Sequence, residues 1–443
     1  MHGITKWRAT VLVLAAVLAT AASAPSSAWA GADRAGNRAP ADRAGNWASE
    51  DRAGNWAPAD RAGNWVTAWA PSPVVGVFIP FNPDCPAGTG LTDQTVRNVA
   101  FLSAGGDAVR VRLTNTFGPR SMVVSHATVA VQASNADAVP GTVRTLTFGG
   151  RTGVTLAAGG RALSDPVRLG VAPLSTVLVS VHVPGPTGPV TMHPFTAQGN
   201  FIANGDATNA TSGQGFGSLP CWLLVDGIEV DAPRRVIGTV VALGDSITDT
   251  SATTGNANRR WPDDLARRLN ARRGPTLSVA NAGLGGNRVL EPRPDGDFWG
   301  VPALARLERD VFSQTAVRDV ILLEGVNDIG FGATADQLIA GYQQLIALTH
   351  ARGLRIFGAT ITPFGGSFVD TPDRRATWTA VNTWIRTSHA FDGVFDFAAA
   401  TARPGDPFTL RPEYDSGDHL HPNDAGCQAM ADSVDLRRLT AGH

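Results

Sequence analysis

The sequence predicts an α/β fold, a doubly wound parallel five-stranded sheet, preceded by an all-β sandwich domain. Two observations carry the prediction. From residue 65 to 232 short runs of alternating apolar and polar residues are broken by Gly/Pro turns, with almost no helical periodicity. From residue 233 to 443 the rhythm changes, and apolar strands alternate with amphipathic helices.

The elements follow in order. At 1–30, Lys6 and Arg8 precede an apolar run at 11–22, and small residues then lead to Ala28-Trp29-Ala30. This is the layout of an export signal, which predicts a secreted protein. The apolar run is too short to span a bilayer, and no later stretch is long enough, so stable membrane insertion is not expected. Residues 31–64 repeat Asp-Arg-Ala-Gly-Asn from Asp33, Asp42, Asp51 and Asp60, with Trp47, Trp56 and Trp65 following three copies. Gly, Asn, Asp and Pro dominate without periodicity, so this stretch reads as a tether rather than a packed unit. Within 65–232, the runs 108–113, 127–132 and 175–183 read as strands, with turns at Pro140-Gly141, Gly149-Gly150 and 185–189. Within 233–443, strands are expected at 236–243, 277–282, 319–324, 355–361 and 394–397. Helices are expected at 259–273, 303–313, 335–350, 374–388 and 423–439.

Composition removes whole classes of function. With 37 basic and 38 acidic residues, the formal charge of −1 offers nothing to a nucleic-acid backbone. The only lysine is Lys6, so the rest of the chain has neither a Schiff-base lysine nor the lysine of a P-loop or a kinase strand. Cys85, Cys221 and Cys427 are the only cysteines. Export favours a disulfide between Cys85 and Cys221, which flank one domain, and leaves Cys427 as a buried thiol in a helical pattern. Neither C-x-x-C nor H-E-x-x-H occurs, so no metal site is expected.

Open parallel sheets bind ligands beyond the carboxyl ends of their strands. There the sequence places Gly244-Asp245-Ser246, the run 281–287 with Gly283, Gly285 and Gly286, Asn327-Asp328, and Asp418-His419-Leu420-His421. Acyl transfer needs these residue types. A serine hydroxyl needs a base within hydrogen-bond reach, and a histidine base needs a carboxylate to hold its tautomer. Asp418 and His421, three residues apart, can bond locally, and His421 reaches Ser246 if the final loop folds over the first strand. The tetrahedral intermediate needs preorganised N–H donors, which Gly286, Asn327 and the backbone of Ser246 can supply. Each motif alone is also a common turn or cap. All four in order, each at a strand end, point to one site.

On these four blocks the segment 240–436 resembles the SGNH/GDSL hydrolase superfamily, whose flavodoxin-like fold the sheet would then adopt. The longer stretch from Trp65 resembles a secreted actinobacterial-type branch with a β-domain before the hydrolase domain. The resemblance implies Ser246, Asp418 and His421 as catalytic triad, and Ser246, Gly286 and Asn327 as oxyanion hole. Gly283 and Gly285 compete with Gly286 for that role, and Ile247 stands where the family's name has leucine.

Other residues invite readings of their own. Trp299 and Phe364 lie on loops at the same edge, either as a platform for an acyl or sugar group or as packing. His419 reads as an exposed or supporting histidine, Asp245 and Asp328 as loop anchors, and Glu324 as a buried carboxyl of the third strand. His193 or Trp222 is expected near a fixed boundary between the two domains.

The expected activity is that of a secreted serine esterase, cleaving carbohydrate acetyl esters or short-chain acyl esters through an acyl-enzyme on Ser246. The alternatives are a lipase or phospholipase-type acylhydrolase, and an acyltransferase using the same site. No cofactor and no nucleic acid are expected. The partner is an ester of a polysaccharide or lipid, and the chain is expected to be monomeric.

Overall fold

The computed structural model describes residues 63–249 and 252–441. The predicted export signal, and the repeat up to residue 62, lie outside the described residues.

Between Trp65 and Asp231 the strands form two antiparallel sheets. One runs in the order Trp65–Trp69, Val225–Asp231, Gly106–Thr114, Val167–Val171. The other is centred on Gln94–Phe101, Thr176–Val183 and His126–Ser134. The alternation read from the sequence is the alternation of faces. Val109, Val111 and Leu113 of one sheet meet Val177, Val179 and Val181 of the other in one fully buried cluster. Cys85 and Cys221 form a disulfide that ties the long loop after Trp69 to the segment entering Trp222–Leu223.

From Val236 the chain builds a five-stranded parallel sheet. Its order is Thr276–Gly283, Val236–Gly244, Val317–Leu323, Arg355–Ala359, Gly393–Phe395, so the chain reverses its sideways progress after the second strand it makes, and the third pairs with the other edge of the first. These strands are almost continuously apolar, because helices cover both faces. Trp261–Ala271, Ala335–His350 and Pro372–Thr387 are the long helices, the second begun by a Thr334/Gln337 capping box.

Three expectations need correction. The helix expected over 303–313 is α-helical only over Ala303–Leu307 and continues as a wider π turn over Glu308–Phe312. The helix expected over 423–439 is two, Asp424–Ser433 and Leu436–Thr440, because Asp435 caps the second and interrupts the first. Glu324 lies one residue past the end of the third strand rather than within it.

The antiparallel region rests directly on the parallel one. Thr67 N–H donates to Thr315 O, Ser103 Oγ accepts Val279 N–H, and Leu284, Phe298 and Trp299 from the second region complete the core of the first. Among the described residues no helix is long and apolar enough to cross a membrane.

Candidate active site

The first parallel strand ends at Gly244, and Ser246 opens the one-turn helix Ser246–Asp249 immediately beyond it. Asp245 closes this turn by accepting the Ile247 N–H at 2.9 Å. The hydroxyl of Ser246 lies 2.8 Å from Nε2 of His421, although 175 residues separate them in sequence. On the other side of the ring, Nδ1 lies 2.6 Å from Asp418 Oδ2. Asp418 Oδ1 accepts the N–H groups of Leu420 (2.9 Å) and His421 (2.8 Å), so carboxylate and imidazole are held by one tight loop. The carboxylate fixes the ring proton on Nδ1 and leaves Nε2 to receive the serine proton.

Electrostatics reinforce the pair. Burial alone would raise Asp418, but the hydrogen bond and charge of His421 hold it well below the usual carboxylate range. Burial alone would lower His421, but Asp418, with help from the Asp245 charge, raises it above an ordinary imidazole.

The glycine loop after the second strand sorts its own donors. Gly283 N–H is engaged by Asn281 Oδ1 (2.9 Å) and Gly285 N–H by Asp249 Oδ2 (3.0 Å). Gly286 N–H donates to no acceptor among the described residues. At φ +72° Gly286 occupies left-handed backbone, and a Cβ there would strike the Trp299 ring. Asn327, on the short helix Val326–Gly330 after the third strand, donates from Nδ2 to Asn287 O at 2.9 Å. An amide has two N–H groups, so one remains for a ligand. Asp328 anchors the same loop by accepting Val289 N–H (2.8 Å) and Leu290 N–H (3.1 Å).

Beneath these loops lies Arg306, fully buried and not singled out by the sequence reading. Its guanidinium donates to Gly244 O (2.9 Å), Ala282 O (2.7 Å) and Asn287 Oδ1 (2.8 Å), and meets Glu324 at 3.4 Å. It thereby ties together the backbone ends that carry Ser246, Gly286 and Asn327. A signal was present: Arg306 interrupts the apolar face of its helix, between Ala303, Leu307 and Asp310. Burial pushes three carboxyls at these strand ends up, Asp245 to about 7, Asp328 to about 6 and Glu324 to about 8, whereas Asp310, against its own burial, is held below the usual carboxylate range by Arg309 and Arg306.

Of the two readings of Phe364 its burial fits packing: it is 2 % exposed and lies edge-on against Trp378 inside the core. Trp299 is also buried, but against the glycine loop 283–287. Its ring stacks with Phe81 and Phe195 of the antiparallel region, and the Arg293 guanidinium sits 4.1 Å over its face. A Cβ on Gly285 would strike Phe195, so this aromatic wall fits only beside glycine. His419 is exposed and pairs with Asp415 at 2.5 Å rather than with His421. Cys427 is a free, buried thiol whose pKa burial pushes far up, so it is inert.

Residues 242–429, a little over two fifths of the chain, match the family described as GDSL-like Lipase/Acylhydrolase. No curated protein matches the chain. Among solved structures, a GDSL-like lipase from Bacteroides thetaiotaomicron VPI-5482 is 18 % identical with a TM-score of 0.34, over 46 % of this chain and 89 % of that one. The aryl esterase of M. smegmatis is 14 % identical with a TM-score of 0.35, over 44 % and 95 %. Est24, a carbohydrate acetylesterase from Sinorhizobium meliloti, is 15 % identical with a TM-score of 0.35, over 44 % and 94 %.

Proposed function

We propose that the chain is an exported serine esterase that cleaves carbohydrate acetyl esters or other short-chain acyl esters, with Ser246, His421 and Asp418 as its triad. The observation that carries this reading is the continuous hydrogen-bonded line from Ser246 Oγ through His421 to Asp418. His421 Nε2 takes the serine proton as Oγ attacks the ester carbonyl. The oxyanion that forms is met by the N–H groups of Ser246 and Gly286 and the free N–H of Asn327. Collapse expels the alcohol, which receives the proton from His421 and leaves an acyl-serine. Water, activated by the same imidazole, then releases the acid. The disulfide between Cys85 and Cys221 supports an oxidising destination, as the expected export signal requires.

The test is hydrolysis of a series of acyl chain lengths beside acetylated xylan and pectin, with the acyl-enzyme trapped for mass spectrometry. Acetyl or short-chain preference and an adduct on the peptide holding Ser246 are expected. Preference for long acyl chains would make it a lipase, and transfer to a sugar in preference to water an acyltransferase. Because His421 must be neutral to act, kcat/KM should rise with pH, with a midpoint above that of a free imidazole, about 6.5.

A further inference from the structure

His193 belongs to the antiparallel region, on the two-residue strand Met192–His193 paired with Trp222–Leu223, yet its ring reaches the nucleophile's helix. It is buried, and acceptors face both of its nitrogens. Nδ1 lies 2.7 Å from Ser72 O, while Nε2 lies 3.0 Å from Asp249 Oδ1 and 3.1 Å from Phe195 O. An imidazole with a carbonyl oxygen at Nδ1, and a carboxylate and a second carbonyl oxygen at Nε2, serves both sides only with a proton on each nitrogen. Asp249 closes the Ser246–Asp249 helix, and its second oxygen, Oδ2, accepts Gly285 N–H at 3.0 Å. One carboxylate thus sits between His193, the helix of Ser246 and the residue next to Gly286. Arg260 locks the same point, donating from Nε to Asp249 O at 2.6 Å and from Nη2 to Thr196 O in the antiparallel region. The charged groups around His193 are Asp249 and Arg260, with Asp263 lining the small cleft beside them.

We propose that His193 is a positioning residue of the ester-cleaving site. As an imidazolium it holds the Asp249 carboxylate, and through Asp249 the spacing between Ser246 and the oxyanion loop 283–287. The antiparallel region is thereby a working part of the active site and not an appended module. The inference rests on the esterase reading above. A buried ion pair whose charge favours the protonated ring agrees with the raised His193 pKa, where Asp249 outweighs burial.

The experiment measures kcat per active site, with sites counted by the burst of an activated acetyl ester, on the full chain and on His193→Gln and Asp249→Asn. His193→Gln retains one donor and loses the charge. Asp249→Asn retains the shape and loses the carboxylate. Each is expected to lower kcat per titrated site by on the order of 10- to 100-fold, with KM changed by less than about threefold, because small displacements of the reacting groups cost rate. A purely structural role would lower the melting temperature and the titratable fraction but leave kcat per site at the wild-type value, and that result, or a change in KM alone, overturns the proposal. If His193→Gln yields no titratable protein, Asp249→Asn decides on the same criterion. Failure of the esterase reading looks different: the unaltered chain would then give no burst at all.

Discussion

The antiparallel and parallel halves of the described chain bury charge in opposite ways. In the antiparallel region the buried cations sit beside acceptors, although Arg110 Nε has no hydrogen-bond partner among the described residues. Arg112 lies 2.7 Å from Asp226, which also pairs with Arg161, and Arg110 lies 2.5 Å from Glu229. Arg97 donates to Ser180 Oγ and to the carbonyls of Ala136, Ala207 and Ala210. In the parallel region, beside pairs such as Arg355 with Asp319, three carboxyls crowd beneath the strand ends; burial raises all three, and neighbouring negative charge raises Asp245 and Glu324 further. Glu324 Oε1 has no hydrogen-bond partner among the described residues. A sheet that only has to hold together pairs its charges, whereas a sheet that presents a nucleophile tolerates like charges at close quarters.

Four measurements put that contrast at risk. The largest effect belongs to the triad. Ser246→Ala and His421→Ala should each lower kcat by on the order of 10⁶, and the double variant should lose little more, since both act in one proton transfer. Stability should barely move, as Ser246 is half-buried at a strand end. Asp226→Asn in the antiparallel region should do the reverse. Stranding Arg112 and Arg161 should cost about 3–5 kcal/mol in urea unfolding, with kcat per titrated site retained. A large loss of kcat there would erase the contrast.

Next comes Asn327→Ala, which should slow kcat by on the order of 10²–10³ with KM nearly constant, because the amide matters most once charge develops on the carbonyl oxygen. A rise in KM alone would remove Asn327 from the oxyanion hole.

The smallest effect is a pH slope in stability. Glu324 and Asp245 titrate near 8 and 7 in the fold, but near about 4 in an unfolded chain. The folded state therefore holds protons that the unfolded state releases. Their contribution to stability is complete below about pH 4 and is lost as pH rises through about 7 to 8. The melting temperature should fall across this window, and Glu324→Gln should flatten the fall. An unchanged slope would mean that Glu324 is ionised throughout.

Much of this molecule was legible from local pattern. The change from alternation to strand–helix rhythm near residue 233 located both kinds of sheet, since periodicity is a property of neighbouring residues. The helix expected over 335–350 has those very ends because its cap residues, Thr334 and Gln337, are themselves local. Elements set by a single turn were invisible: the π turn at Glu308–Phe312, the break at Asp435 and the small hairpin of Ala402–Arg403 with Asp406–Leu410. The two readings of Phe364, platform or packing, could not be separated for a related reason. A loop aromatic at a strand end reads as ligand-facing until the partner that buries it, Trp378, is known.

Chain order alone sets which residue types meet at the strand ends, Ser246, the glycine run, Asn327 and the Asp418/His421 pair. Backbone order puts these at one edge of any parallel sheet of this topology. Packing is what distinguishes the glycines, since the N–H groups of Gly283 and Gly285 are engaged and that of Gly286 has no acceptor among the described residues. It alone also brought Arg306 beneath the loops and His193 across to Asp249. The physical reason is range. Propensity and periodicity act over a few residues, while His193 and Asp249 are 56 residues apart and Ser246 and His421 are 175 apart. Contacts at such separations exist only once two sheets have packed and excluded water, where a buried carboxylate must find a partner.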